Sequence, residues 1–195
     1  MSNSETIGDY TLAEDNTRCN LTLVLSPAGL LMGMKTRGFG TGKLVLPGGK
    51  EKFFGPGFQG KRKKIVDVQE ELYEETGLSL PYTAFAGVGY LYVEPDYGET
   101  TDILLVKTEL PQTPGLSGNG ELEHLGWYPT QSLPYNQMPT DYRLWLPGAL
   151  DNYIITAFLR NINTDFSNSV VFGQRYLPKL GRLEELASGP ITTQV

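Results

Sequence analysis

The chain has 195 residues, of which 39% are hydrophobic and 19% charged, and these values fit one globular domain with short appendages and exclude a disordered chain. Its 16 basic and 22 acidic residues give a net charge of -6, which argues against non-specific binding to nucleic acid or to an anionic membrane. A single cysteine and a single histidine exclude a disulfide framework, a cysteine-based zinc site and a histidine-rich metal site. The start is polar and acidic, unlike a signal peptide, and no apolar run approaches the roughly 20 residues of a membrane span, so we expect a cytoplasmic protein without a membrane partner.

Hydrophobic periodicity and turn residues divide the chain into an N-terminal arm (1–16), a main domain (17–160) and a C-terminal extension (161–195) that packs on the same domain. Strands are predicted at 19–25, 30–35, 84–93, 101–110 and 121–128, with a short one at 170–172. A helix is predicted over 63–76, ended by Gly77, and a second one over 148–160. This order of elements predicts an α+β fold in which a mixed sheet lies between helices.

The predicted helix at 63–76 carries an unusual number of carboxylates on one face. At about 100° per residue, five of them fall within roughly 140°: Asp67, Glu70, Glu71, Glu74 and Glu75. Like charges four residues apart destabilise a helix by about 0.2–0.5 kcal/mol per pair. The face is either a solvated acidic surface or a site for a hard cation, because oxygen ligands at this spacing converge and suit Mg²⁺ or Mn²⁺.

The residues around these carboxylates favour the second interpretation. The segment PGGK at 47–50 and the run ELYEETGL at 71–78 resemble the Nudix box. The chain departs from that pattern at Glu70, where the box has an arginine that orients a catalytic carboxylate, and at Arg62, where it has an early glutamate. The segment after Gly49 is also longer by about seven residues, placed within 53–60, and Lys61 or Arg62 in it could supply the missing cation.

Further segments are similar to the oxidised-purine nucleoside triphosphatases (MutT-like) of the Nudix superfamily. They lie at 23–25, 30–35, 37–40, 42–43, 126–128, 133–135 and 145–147, so that the resemblance covers about 19–155. The resemblance implies a Nudix fold, and it implies a metal site at Gly48, Glu71, Glu74 and Glu75. It implies catalytic roles for Glu71 and Glu75, together with Glu121 or Glu123, between which the sequence does not choose. It implies substrate contacts for Lys35, Gly49, Lys50, Asp141 and Tyr142.

The base-reading positions match the family less well. Asp141 agrees with it, but Val45, Pro139 and Tyr142 stand where the family has an asparagine, a stacking tryptophan and a second acidic residue. The expected function is therefore metal-dependent hydrolysis of nucleoside diphosphate-linked substrates, first of all of a nucleoside triphosphate to the monophosphate and pyrophosphate, with oxidised nucleotides as one substrate class. Nucleotide sugars or dinucleoside polyphosphates are the alternative substrates, and a catalytically weak nucleotide-binding module is the alternative function. The expected partner is a small nucleotide rather than a nucleic acid polymer, and a homodimer is left open.

Overall fold

The computed structural model describes residues 6–7, 10–11, 17–38, 40–50, 61–94, 100–118, 121–160, 170–177 and 182–184. In these ranges the strands are β1 (Thr6–Ile7), β2 (Tyr10–Thr11), β3 (Thr17–Ser26), β4 (Gly29–Lys35), β5 (Leu44–Val45), β6 (Ala86–Glu94), β7 (Thr101–Glu109), β8 (Leu122–Tyr128), β9 (Tyr153–Arg160), β10 (Val170–Leu177) and β11 (Arg182–Glu184). The helices are α1 (Lys61–Thr76) and α2 (Tyr142–Leu150), with short 3-10 turns at Tyr82–Ala84 and Thr130–Ser132.

Nine of these strands form one mixed sheet, in the order β11-β10-β9-β6-β7-β3-β4-β5, with β8 paired to β4. The pairs β3/β7 and β6/β9 are parallel, and the remaining pairs are antiparallel. β3 and β4 form the hairpin expected from the turn at Pro27 and Ala28. The separate pair β1/β2 lies in the segment that the sequence assigns to an arm.

The two helices lie on opposite faces of the sheet. Neighbouring residues of a strand point to opposite sides, and those of β3 and β4 pack alternately against one helix and the other. On β3 and β4, Leu23 and Leu30 belong to the core cluster that includes Trp145 of α2. Val24 and Leu31, one position further along, belong to the cluster that includes Leu72 of α1. The α+β fold with a mixed sheet between helices is therefore confirmed.

The predicted helix at 148–160 is wrong. Helix α2 ends at Leu150, and Asn152 takes a left-handed conformation (φ 64°) at the turn into β9. In β9, Ile155, Ala157 and Leu159 are buried and alternate with half-buried residues, which is a strand pattern. The helical spacing of the apolar residues was misleading, and the β-branched residues in this run are the better signal.

The other predicted elements are confirmed with shifts of a few residues. The turn after β6 and the longer segment at 53–60 lie outside the described residues, as do most of 1–16 and of 161–195. Among the described residues, no helix is long and apolar enough to cross a membrane.

Candidate functional site

Apolar residues fix the C-terminal half of α1 on the sheet. Val68 and Leu72 are fully buried, and Leu72 packs with Val24 and Leu31. The helix ends at Gly77, whose positive φ of 73° suits a residue without Cβ and whose N–H donates to the Tyr73 carbonyl over 2.8 Å. The last turn of the helix, with its carboxylates, is thereby held beside the segment Pro47–Lys50.

The segment Pro47–Lys50 runs alongside β3. The N–H groups of Asn20 and Thr22 donate to the carbonyls of Gly49 (2.9 Å) and Pro47 (2.8 Å). Between these bonds, the Gly48 N–H donates to Oε2 of Glu75 over 2.8 Å. The backbone thus contacts the sheet on one side and a helix carboxylate on the other.

The close approach of this segment to β3 and to α1 requires glycine at two positions. A Cβ on Gly48 would collide with the carbonyl oxygen of Asn20, which belongs to a central strand and cannot easily move. A Cβ on Gly49 would lie 2.5 Å from Oε2 of Glu71, so the Glu71 carboxylate packs directly on that glycine. The segment and the last two turns of α1 form one packed unit.

Glu75 is the most buried carboxylate of this unit, with 4% of its surface exposed. Its pKa is raised to about 7, first because burial disfavours the charged form and further because Glu71 and Glu121 are negative neighbours. The hydrogen bond from Gly48 and the charge of Lys35 act in the opposite direction. Three carboxylates from two parts of the chain therefore face one another here.

Lys35, the last residue of β4, lies between two of these carboxylates. Its Nζ donates to Oε2 of Glu121 over 2.8 Å and is 3.9 Å from Oε1 of Glu75. The other oxygen of Glu121 accepts from Nε of Arg37 over 2.8 Å, and Nη2 of Arg37 lies 2.7 Å from it. The hydrogen bond from Lys35 is the first cause of the lowered pKa of Glu121, and the one from Arg37 adds to it.

The donor chemistry of this unit fits a hard divalent cation. Glu71, Glu75 and Glu121 supply carboxylate oxygens, and their mutual repulsion would be relieved by a positive ion. In the described part of the chain, however, no three Asp, Glu, His or Cys side chains stand close enough to form a complete metal cage. Backbone carbonyls, water or substrate phosphates would have to complete the coordination, as is common for Mg²⁺.

The structure brings together some of the site residues proposed from the sequence: Lys35, Gly48, Gly49, Glu71, Glu75 and Glu121. It leaves Lys50, Glu74 and Glu123 exposed, and Glu123 is in register with Met34, which packs against the α2 core. Of the two glutamates between which the sequence did not choose, Glu121 is the one that joins the unit.

Asp141 and Tyr142 belong to the α2 side of the sheet, although the Tyr142 hydroxyl lies within electrostatic range of Glu75: burial raises the pKa of this hydroxyl first, and the charges of Asp141 and Glu75 add to this. Asp141 accepts a hydrogen bond from Nε1 of Trp145 over 3.0 Å, and burial raises its pKa. Tyr142 is 3% exposed, packs edge-on against Trp145 and accepts a hydrogen bond from the Leu46 N–H. The ring of Tyr142 is a core group and offers no free face on which a base could stack.

Two residues beside the site were missed by sequence reasoning. Arg37 belongs to the segment 37–40 of the family resemblance, and its role as the second partner of Glu121 has no local signal in the sequence. Asn20 is 2% exposed; its Nδ2 donates to the Gly49 carbonyl over 3.4 Å, while its buried Oδ1 has no hydrogen-bond partner among the described residues. An asparagine among the apolar residues of a predicted strand is a signal that could have marked it.

Comparisons with known proteins identify relatives of this chain. No family model matches the chain. The chain is 31% identical over 129 residues to an oxidized purine nucleoside triphosphate hydrolase of Danio rerio, an alignment that spans 65% of this chain and 75% of that protein.

Solved structures share the fold at low sequence identity. A MutT protein of Bacillus halodurans superposes with a TM-score of 0.61 at 16% identity, covering 80% of this chain and 97% of that one. A bifunctional NMN adenylyltransferase/ADP ribose pyrophosphatase of Francisella tularensis, complexed with AMP and a manganese ion, gives 0.53 at 18% identity, covering 71% of this chain and 42% of that one.

The fold, a mixed sheet between two helices, is that of the Nudix-fold proteins. The chain belongs to the Nudix hydrolase superfamily, in its MutT-like branch. It is an enzyme, a pyrophosphohydrolase that acts on acid anhydrides in phosphorus-containing compounds.

Proposed function

We propose that the protein hydrolyses nucleoside triphosphates to the monophosphate and pyrophosphate with the help of Mg²⁺, which Mn²⁺ can replace. The observation that carries this proposal is the packing of Glu71 and Glu75 against Gly48 and Gly49, with Lys35 beside them. An acidic site of this kind receives an anionic polyphosphate together with a divalent cation. The named activity of the Danio rerio relative supports the substrate class.

In this proposal, the carboxylates of Glu71, Glu74 and Glu75 and the carbonyl of Gly48 hold the metal. A divalent cation held there would neutralise phosphate charge and make water easier to deprotonate. A water oxygen forms a bond to a phosphorus atom of the triphosphate, the anhydride bond between the α- and β-phosphates breaks, and the monophosphate and pyrophosphate separate. One carboxylate of the set, from α1 or from Glu121, accepts the proton of the water.

The nucleoside part of the substrate has an aromatic surface within reach. The register across β3, β7 and β6 places Tyr90 on the same face as Asn20, two strands away, which corresponds to about 10 Å. Further along this face, the rings of Tyr92 and Phe158 stack at 4.9 Å with an 8° angle between their planes. Half-buried aromatic rings beside a phosphate site suit a nucleobase. Asp141, which is hydrogen-bonded to Trp145, and Tyr142 belong to the α2 side, so we leave both out of the base contacts.

The test is a screen of nucleoside triphosphates, nucleotide sugars and dinucleoside polyphosphates with Mg²⁺ or Mn²⁺, with chromatographic identification of the products. We expect a monophosphate and pyrophosphate from triphosphates. Release of single phosphate groups, or turnover restricted to nucleotide sugars, would contradict the proposed substrate class.

Weak catalysis is the second candidate, because Glu70 is exposed and negative where the Nudix box has an arginine. Such an enzyme would bind nucleotides in calorimetry but turn them over slowly at any metal concentration. The division into an arm, a domain at 17–160 and an extension, and a cytoplasmic location, go with the main proposal.

A further inference from the structure

Lys35 occupies the point where three separate elements of the protein meet. It ends β4, while Glu75 belongs to the last turn of α1 and Glu121 lies just before β8. Its side chain is 15% exposed, that of Glu75 is 5% exposed and that of Glu121 is 36% exposed. The ammonium group of Lys35 therefore interacts with the carboxylates of both Glu75 and Glu121. Among the described contacts, no other one joins these two carboxylates directly.

The positive charge of Lys35 compensates the negative charges of the carboxylates gathered at this site. Glu75 is buried, and Glu71 and Glu121 are its negative neighbours. Nζ of Lys35 lies 3.9 Å from Oε1 of Glu75 and donates to Oε2 of Glu121 over 2.8 Å, so one positive charge draws both carboxylates to the same point.

The orientation of Glu121 also depends on which of its oxygens each cation takes. Lys35 binds Oε2 and Arg37 binds Oε1, so the carboxylate plane is fixed at both ends. The Arg37 side chain is 74% exposed, and solvent weakens its contribution. The more buried Lys35 is thus the stronger of the two contacts.

Position 70 offers no substitute for this charge. Glu70 is exposed and negative, so α1 itself brings no cation to Glu71 and Glu75 from that position. The side chains of Lys61 and Arg62 lie outside the described residues. In the described part of the chain, the cation nearest to Glu75 comes from the sheet, across the gap between β4 and α1.

We propose that Lys35 is a positioning residue of the hydrolase, which holds Glu75 of α1 and Glu121 of the β8 edge in their working arrangement. This differs from the direct substrate contact expected from the sequence. The inference rests on the proposed site but not on the identity of the nucleotide, because any substrate that the enzyme turns over serves to test it.

The experiment compares Lys35→Met, Lys35→Arg, Glu121→Gln and the double variant Lys35→Met/Glu121→Gln by steady-state kinetics at saturating metal. We expect Lys35→Met to lower kcat about tenfold or more with KM changed less than about threefold. Lys35→Arg should keep most of kcat, because it retains a positive charge that both carboxylates can accept. The double variant should lose less activity than the product of the two single losses, because part of the effect of Lys35 passes through Glu121.

Two outcomes would overturn the inference. If KM rises while kcat is kept, Lys35 contacts the substrate, and if the losses in the double variant multiply, Lys35 and Glu121 act independently. A parallel cycle of unfolding free energies for Lys35→Met and Glu75→Gln needs neither substrate nor metal. It should show that the loss caused by Lys35→Met shrinks when Glu75 is already neutral. If the substrate screen failed, the cycle of unfolding free energies could still be measured. The proposed hydrolysis and the proposed role of Lys35 can therefore fail separately.

Discussion

Single carboxyl groups of this protein differ in burial, and burial separates their roles. Glu75 is almost fully buried and has three charged neighbours, whereas Glu70 on the same helix faces solvent. Asp141, on the other face of the sheet, is held by a tryptophan N–H rather than by a cation. Each of these environments predicts a different result of the same chemical change, the replacement of a carboxylate by an amide.

Glu75→Gln should lower kcat by roughly 100-fold or more while the protein stays folded. The amide cannot act as an anionic ligand or base, yet it removes a buried charge and one source of repulsion, so the melting temperature should be unchanged or higher. The matched variant is Glu70→Gln, which removes the same charge from an exposed position of α1 and should leave kcat within about threefold. Equal activities of the wild type and Glu75→Gln at saturating Mg²⁺ would exclude Glu75 from the reaction.

Asp141→Asn should stabilise the protein, and the gain should grow with pH. Burial holds the folded pKa of Asp141 above its ordinary value of 3.8, so its ionisation costs more in the folded state than in the unfolded chain. Below the unfolded pKa the cost is absent, and it develops as the pH rises through the raised folded pKa. Asparagine keeps an oxygen that can accept from Trp145 and has no charge to lose. Melting temperatures of both proteins between pH 4 and pH 9 test this, and a constant difference would contradict it.

At the scale of elements, the segment Pro47–Lys50 and the helix α1 depend on each other. The segment has hydrogen bonds to β3 on one side and contacts with the carboxylates of α1 on the other. Gly48 faces immobile backbone and Gly49 faces the end of a side chain. A methyl group added at Gly48 should therefore affect mainly stability, whereas one added at Gly49 should affect mainly activity.

Gly49→Ala should reduce kcat/KM by roughly tenfold or more with little loss of stability, because the Glu71 carboxylate must move away from the new methyl group. Gly48→Ala should instead cost about 1–3 kcal/mol of unfolding free energy, because the strand carbonyl cannot yield. Gly87→Ala is the control, since a Cβ there meets nothing within 4 Å. Chemical denaturation and kinetics on the three variants separate the effects, and identical behaviour of Gly48→Ala and Gly49→Ala would refute the assignment.

The sequence predicted α1 and its carboxylates because a helical pattern, a Gly cap and a specific motif coincide in it. It failed at 148–160, where apolar residues on both faces of a buried strand imitate helical spacing. It could not reveal that Lys35 and Glu121 bond, because register and a bulge between β4 and β8 decide that contact. Nor could it show that Tyr142 points into the core, since burial on α2 depends on how the sheet packs.

At the scale of the whole molecule, the sheet separates two groups of residues. The carboxylates and Lys35 occupy the α1 side, while Asp141 and Tyr142 belong to the α2 side. Val45 lies in β5 and is 8% exposed, with a side chain that cannot form a hydrogen bond. At the positions where the family reads the base, few polar groups of this chain are therefore free to form hydrogen bonds with a base edge.

We accordingly predict a selectivity of less than about tenfold for oxidised over normal purine triphosphates. Discrimination by a base edge needs paired polar groups, and each buried polar group left unpaired costs about 1–3 kcal/mol. Values of kcat/KM for matched oxidised and normal triphosphates measure this ratio. A preference of about a hundredfold or more for the oxidised base would show that other residues provide the reading.

The bond between Lys35 and Glu121 joins residues 86 positions apart in the chain. Between them lie β5, α1, β6 and β7, and β7 pairs in parallel with β3, which closes a long loop. Proteins rich in such distant pairings fold slowly, because the entropy of loop closure is lost before contacts reward it. We therefore expect the working arrangement of the carboxylates to form late in folding, so that a newly made chain gains activity only once its central sheet is complete.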